Sequence, residues 1–237
     1  MKRIFLLIIC VVFLLSATGC NSQNSDESSI YIPTKTDSEI ADPSDSLPDL
    51  LCEETVFVLD GYFYVLPCDF SEFEKNGWEF VHGEDSNYYT NDYLETNESS
   101  STLEIKKSDD SCKDTHVCVV FRNLHQGSAD SPKIKSPVNE CVVTTIGVGI
   151  CLDEKANNAE AFLSDGFGCN SKATIDSIKS GHGDPDSENG GVMTPWWSNA
   201  EQLDVDYVEY HNFYAAISRD PSKYNYSIFS IWSNPLN

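Results

Sequence analysis

The residues best suited to chemistry lie late in this 237-residue chain, between Asp184 and Trp197. Asp184, Asp186 and Glu188, followed by Gly190, cluster carboxylate oxygens of the kind that hold calcium. The spacing does not suit a hand-type loop, which needs glycine at its sixth place and an acid at its twelfth, here Asn189 and Pro195. Asp, Pro and Gly are what turns require, so this segment reads as a turn, and neither a metal nor a cofactor is expected. Trp196-Trp197 is the better candidate. Adjacent residues on a strand or loop cannot both point inward, so one ring should be available to a sugar or to another protein. Tyr207, Tyr210, Phe213, Tyr214, Tyr224, Tyr226, Phe229 and Trp232 make the same region strongly aromatic, and core packing should take many of them.

Catalytic patterns do not occur. There is no Gly-x-Ser-x-Gly elbow, no Ser-x-x-Lys pair and no His-Glu-x-x-His helix. A Cys–His pair such as Cys169 and His182 could meet in space, yet nothing singles it out. There is no Cys-x-x-Cys zinc pattern, and the five histidines are scattered. No catalytic residue is assigned, and the chain is not read as an enzyme.

The N-terminus carries an address. Lys2 and Arg3 precede an unbroken apolar run, Ile4 to Leu15, and Ser16-Ala17-Thr18-Gly19 leads into Cys20. These are the three regions of an export signal, and twelve apolar residues are too few for a membrane span, which takes roughly 20. The cysteine at the cut point makes the segment resemble a bacterial lipoprotein signal. That resemblance implies cleavage after residue 19, a lipid on Cys20, and a protein anchored on the outer side of the cell membrane. Ala17 stands where such signals usually have Leu, and an ordinary signal-peptidase cut nearby is the alternative. Residues 20–50 are rich in Ser, Asp, Pro and Thr without period, and read as a flexible acidic tether.

The formal charge is −23, and loss of Lys2 and Arg3 with the signal takes it to −25. Such a balance excludes a phosphate-binding basic face, so no nucleic-acid partner is expected. With Cys10 in the signal and Cys20 lipidated, seven cysteines remain, an odd number. Cys52 with Cys68 and Cys112 with Cys118 have local logic as pairs. All seven could equally be small buried hydrophobes.

The elements that must position these residues begin with a hairpin. Thr55–Leu59 and Tyr62–Leu66 flank Asp60-Gly61, a two-residue turn that sets Leu59 opposite Tyr62 and Phe57 opposite Tyr64. Both of its faces are apolar, which predicts cover on two sides. Ser71 and Glu74 form a capping box for a short helix that stops at Asn76-Gly77. Strands are expected from Trp78, over 101–106, 116–123 and 141–151. A second helix is expected over 170–181, with Ser171 as its N-cap and Gly181 as its stop. A Gly-rich loop and strands at 202–207, 208–218 and 226–233 should follow. The fold class is therefore α+β with mostly antiparallel sheet, in two small modules, 51–152 and 153–237.

Several blocks carry a resemblance. The run Leu59-Asp60-Gly61, Tyr64-Val65-Leu66-Pro67-Cys68, Ser71-Glu72-Phe73 and Asn76-Gly77-Trp78 resembles an uncharacterised lipoprotein family of Gram-positive anaerobes. Val119 to Asn123, Lys135 to Val143, and Gly168 to Gly181 with Gly183-Asp184-Pro185-Asp186 are similar to its later blocks. Phe162 to Cys169 departs from its usual approach to the second helix. The resemblance brings no catalytic residues. It implies a lipid-anchored protein that binds a protein or a glycan without catalysis, with an envelope-assembly role as the alternative and a cell-wall hydrolase as the third reading.

Overall fold

The computed structural model describes residues 52–126, 133–164, 168–198, 202–223 and 225–234. The signal, Cys20 and the tether lie outside them. The fold is α+β with mostly antiparallel sheets, as its alternating strands require. Among the described residues, no helix is long and apolar enough to cross a membrane.

The hairpin forms with the expected register: β1 (Thr55–Leu59) pairs β2 (Tyr62–Leu66) with Leu59 opposite Tyr62 and Phe57 opposite Tyr64. Asp60 and Gly61 both take positive φ, 51° and 80°, which is what the two-residue turn demands. A four-residue helix, α1 (Ser71–Glu74), follows. The expected capping box is absent: Phe70 takes the N-cap position and no side chain caps it. Phe70 is instead buried in the core, so packing rather than side-chain capping fixes this turn. Gly77 then breaks the helix at φ 80°.

After β3 (Trp78–Phe80) comes α2 (Gly83–Asn91), which the sequence did not announce. Glu84 and Asp85 favour its N-terminus, but none of its residues is fully buried, so no apolar period marks it. Then come β4 (Tyr93–Glu95), β5 (Leu103–Lys107), β6 (Thr115–Arg122) and β7 (Lys135–Pro137). The long β8 (Val142–Cys151) leads to two short strands, β9 (Ala161–Leu163) and β10 (Gly168–Cys169).

The second long helix, α3, spans Ile175–His182 and starts later than expected. Thr174, not Ser171, is its N-cap, and Thr174 and Ser177 exchange side-chain-to-backbone bonds in a capping box. Gly183, at φ 85°, is its stop. The expected Gly-rich loop is a strand, β11 (Ser187–Met193). It pairs with β12 (Leu203–Tyr210), which runs without the expected break at 207 and turns at His211-Asn212 into β13 (Phe213–Ser218). β14 (Tyr226–Trp232) is the last of the described strands.

Eight strands make one sheet in the order β11-β12-β13-β14-β8-β6-β5-β3, and a smaller sheet has the order β10-β9-β1-β2. This corrects the division at residue 152. β8, from the first proposed module, is bonded to β14 of the second along Tyr226–Trp232, and β9 is bonded to β1. The two halves share one core, in which Phe57, Leu59, Tyr64 and Leu66 of the hairpin pack on Val117, Val119, Ile146 and Val148 of the large sheet. Ile178 of α3 is buried in the same core.

The hairpin also differs from expectation in that, among the described residues, only one of its faces is fully buried. Phe57, Leu59, Tyr64 and Leu66 are buried, whereas Phe63 is 49% exposed and Val56, Val58 and Val65 are half-buried. The turn is held to the large sheet by Lys107, a buried cation 2.8 Å from Asp60 Oδ2 and 2.6 Å from the Asn76 carbonyl. The rings of Tyr62 and Trp78 lie 4.8 and 5.0 Å from its ammonium. Each half of the chain expressed alone, 51–152 or 153–237, should lack cooperative unfolding, because β8 and β14 would each lose a full ladder. Thermal melts followed by circular dichroism test this, and a sharp transition in either half would restore the two-module division.

Candidate functional site

Alternation along the strands gives the large sheet two unlike faces. The inner face carries the core. On the outer face, β6 presents His116 and Cys118, β8 presents Gly147 and Gly149, and β14 presents Tyr226, Ile228 and Ser230. His116 is opposite Gly149, and Cys118 is opposite Gly147. Two glycines at i and i+2 leave two adjacent slots in the middle of this face.

Trp196 and Trp197 fill them. A Cβ on Gly149 would sit 2.4 Å from Trp197 ring carbons, and one on Gly147 would sit 3.1 Å from Trp196 and 2.7 Å from Cys118 Sγ. The rings stand perpendicular to each other, 89° at 4.7 Å. This corrects the expectation that one of two adjacent tryptophans must point away. Both rings turn down onto the sheet and both are half-buried, because the floor beneath them lacks side chains. They pack against Leu203, Val205, Ala216 and Ile228, a small second core.

Sequence reading missed the partners of Trp197. The His116 ring stacks on it almost parallel, 4° at 4.4 Å, and Tyr226 lies 5.3 Å away. His116 Nδ1 is 2.7 Å from Glu104 Oε1 on β5, so a carboxylate orients the imidazole in the stack. The signal was present in the alternation of β5 and β6, but only the pairing of β6 with β8 brings His116 beside the glycine slot. The Gly-x-Gly at 147–149 inside an apolar strand was the legible hint of a close approach.

Cys118 lies beneath the cluster, and burial pushes its thiol up to about 12, with Glu104 adding to the rise and the Gly147 backbone opposing it. Cys68 is likewise raised to about 12, and Cys112 and Cys141 to about 11, each first by burial. All six described thiols, Cys52, Cys68, Cys112, Cys118, Cys141 and Cys151, are free, so neither expected pairing is made. The His182 ring stacks on Phe213 at 5.3 Å and against Tyr210 at 5.1 Å, while the side chain of Cys169 lies outside the described residues.

The acidic segment is a turn followed by a strand. Glu188 is ion-paired with Lys179 of α3, and the Asp186 N–H donates to the Glu209 carbonyl. Among the described residues no group of three or more His, Cys, Asp or Glu is placed to hold a metal. A cleft of about 410 Å³ lies between Thr174, Ile175 and Asp176 of α3's start and Glu188, Asp206 and Ile217 of the sheet. Two of its three carboxylates are already neutralised, Glu188 by Lys179 and Asp206 by Arg219.

Set against protein-family models, curated proteins and solved structures, the chain matches none of them.

Gly149→Ala should force Trp197 out of its slot, red-shift tryptophan emission and cost about 1–3 kcal/mol of stability. An unchanged emission maximum would show that the slot is not occupied as described. The thiols give a second outcome. Their folded values lie above the ordinary 9.0, so the unfolded chain sheds protons first as pH rises. Their contribution is complete below pH 9 and should decline as the medium is brought from pH 9 to 12. Denaturant midpoints across that range measure it, best compared with those of Cys118→Ala, which should show a shallower fall.

Proposed function

We propose that this chain is a lipid-anchored extracytoplasmic protein, held to the membrane through Cys20, that binds a partner without catalysing a reaction. The observation that carries the binding reading is the half-exposed aromatic cluster of Trp196, Trp197, His116 and Tyr226 on the outer face of the large sheet. Aromatic rings anchored rigidly in a surface lose little entropy on contact and are preferred anchors at interfaces. The raised thiols and the stacked histidines favour contact over bond cleavage.

A protein partner fits better than a glycan. Sugar rings stack on an open aromatic face, whereas Trp197 is flanked by His116, Tyr226 and Trp196. Beside the cluster lies the His116–Glu104 pair, a polar group that the side chains of a protein partner can meet. An envelope-assembly role remains the second reading; it shares the anchor and differs in having no soluble ligand.

Two measurements test these statements. Intact mass of the mature protein should show a diacylated or triacylated Cys20 as the first residue, and Cys20→Ala should release the protein into the medium; an unmodified terminus would remove the anchor. A crosslinking pull-down from membranes should recover a partner whose affinity falls roughly tenfold or more in Trp197→Ala, as expected for an aromatic anchor. Cooperative unfolding of the same variant must be retained for that loss to count, and unchanged affinity would rule out this face.

A further inference from the structure

We infer that the free edge of β11 docks an extended polypeptide segment rich in Lys or Arg, by adding it as a ninth strand to the large sheet. Among the described residues β11 (Ser187–Met193) is a terminal strand, paired only with β12. The opposite edge of that sheet is β3, which is only three residues long. Edges are ordinarily blunted by shortness, by Lys or Pro within the strand, or by bulges. β11 has seven residues in continuous register with β12, and its sequence Ser-Glu-Asn-Gly-Gly-Val-Met has neither Lys nor Pro.

The ladder identifies which backbone groups face outward. The Arg219 N–H donates to the Asp204 carbonyl, so the even residues of β12 face β13 and the odd ones face β11. Their partners Ser187, Asn189, Gly191 and Met193 therefore bond to β12. Glu188, Gly190 and Val192 present their N–H and C=O groups to the edge. The Gly190 N–H donates to its neighbour Asn189 Oδ1 at 2.8 Å, a bond that an incoming strand can replace.

Charge selects the occupant. From Asp184 to Glu209 the sequence holds seven acidic residues and no Lys or Arg. Arg219, just past the end of β13, reaches Asp204 and Asp206, and Lys179 reaches Glu188 from α3; these two cations leave the surrounding field acidic. Glu188 is ion-paired with Lys179, so the acidic excess at this edge comes from Asp176, Asp184 and Asp186 gathered around that single ammonium, and Lys or Arg side chains of an added strand are favoured there. A second copy of this chain would bring the same acidic run and a net charge of −23, and is disfavoured. Met193 of β11 packs in the second core with Trp196 and Trp197, whereas Glu188, Gly190 and Val192 do not, so substitutions at these three positions test the edge apart from the aromatic cluster.

The test uses the full-length protein in detergent and two fluorescein-labelled synthetic peptides, one alternating Lys and Val, the other alternating Glu and Val. Anisotropy should show binding of the Lys/Val peptide, no binding of the Glu/Val peptide, and amide shifts at Glu188, Gly190 and Val192. Val192→Pro removes an outward N–H without touching the β12 ladder, and should weaken binding roughly tenfold or more, whereas Val192→Thr should not. Glu188→Lys leaves the backbone intact and should weaken the Lys/Val peptide, which keeps the test decisive if the proline variant is unstable. Lack of Lys/Val binding, equal binding of both peptides, or binding unaffected by both Val192→Pro and Glu188→Lys would overturn the proposal. Self-association abolished by Val192→Pro would overturn it in favour of a second copy.

Discussion

The pairing of β8 on both of its edges is the constraint on which the rest depends. Its ten residues bond to β6 on one side and to β14, the last of the described strands, on the other. Seven consecutive partners along β14 mean that the ladder joins residues about eighty positions apart and is complete only once β14 has been made. Because β8 is buried along most of its length, an unpaired edge there would leave backbone groups without water or partner. The contact is therefore both long in sequence and obligatory, and it makes one body of what looks like two modules.

Around that strand the two faces have different tasks. The inner face is closed by Ile178 of α3 and by a continuous set of rings that runs from Phe57 and Tyr64 of the small sheet through Phe73, Phe70, Phe80 and Tyr89 to Phe121. Lys107 fixes the hairpin turn by satisfying Asp60 and the Asn76 carbonyl inside this packing. A buried cation of this kind sets geometry more than it adds net stability, since desolvation offsets much of the attraction. The outer face has no second layer among the described residues, and its own glycines let the loop bearing Trp196 and Trp197 fold down onto it.

That glycine floor connects packing to the proposed role. A recognition surface benefits from rings that are already ordered before the partner arrives. Seating two tryptophans in slots cut into a rigid sheet, with His116 and Glu104 holding one of them, provides this without a separate domain. The same sheet ends in β11, whose open edge offers a different kind of contact, directional backbone bonding, alongside an acidic surface.

Local signals were legible where one or two residues decide the backbone. Asp60-Gly61 specified the hairpin and its register, Gly77 ended α1, and alternation placed the strands 115–122, 142–151 and 226–232 within a residue or two. Helix ends read less well: Ser71 and Ser171 had the chemistry of caps, but Phe70 and Thr174 took those places because burial of Phe73 and Ile178 set where each helix starts. β11 and α2 were invisible, since glycine-rich and polar stretches carry no apolar period and owe their form to β12 and to the core beneath them. The site divides in the same way. The sequence by itself determined the chemistry available, two adjacent tryptophans, a Gly-x-Gly strand and an acidic run, because those are properties of residue type and spacing. Only the tertiary structure decided that the tryptophans lie over those glycines and beside His116, because long-range strand pairing, with no local signal, chooses which strands are neighbours.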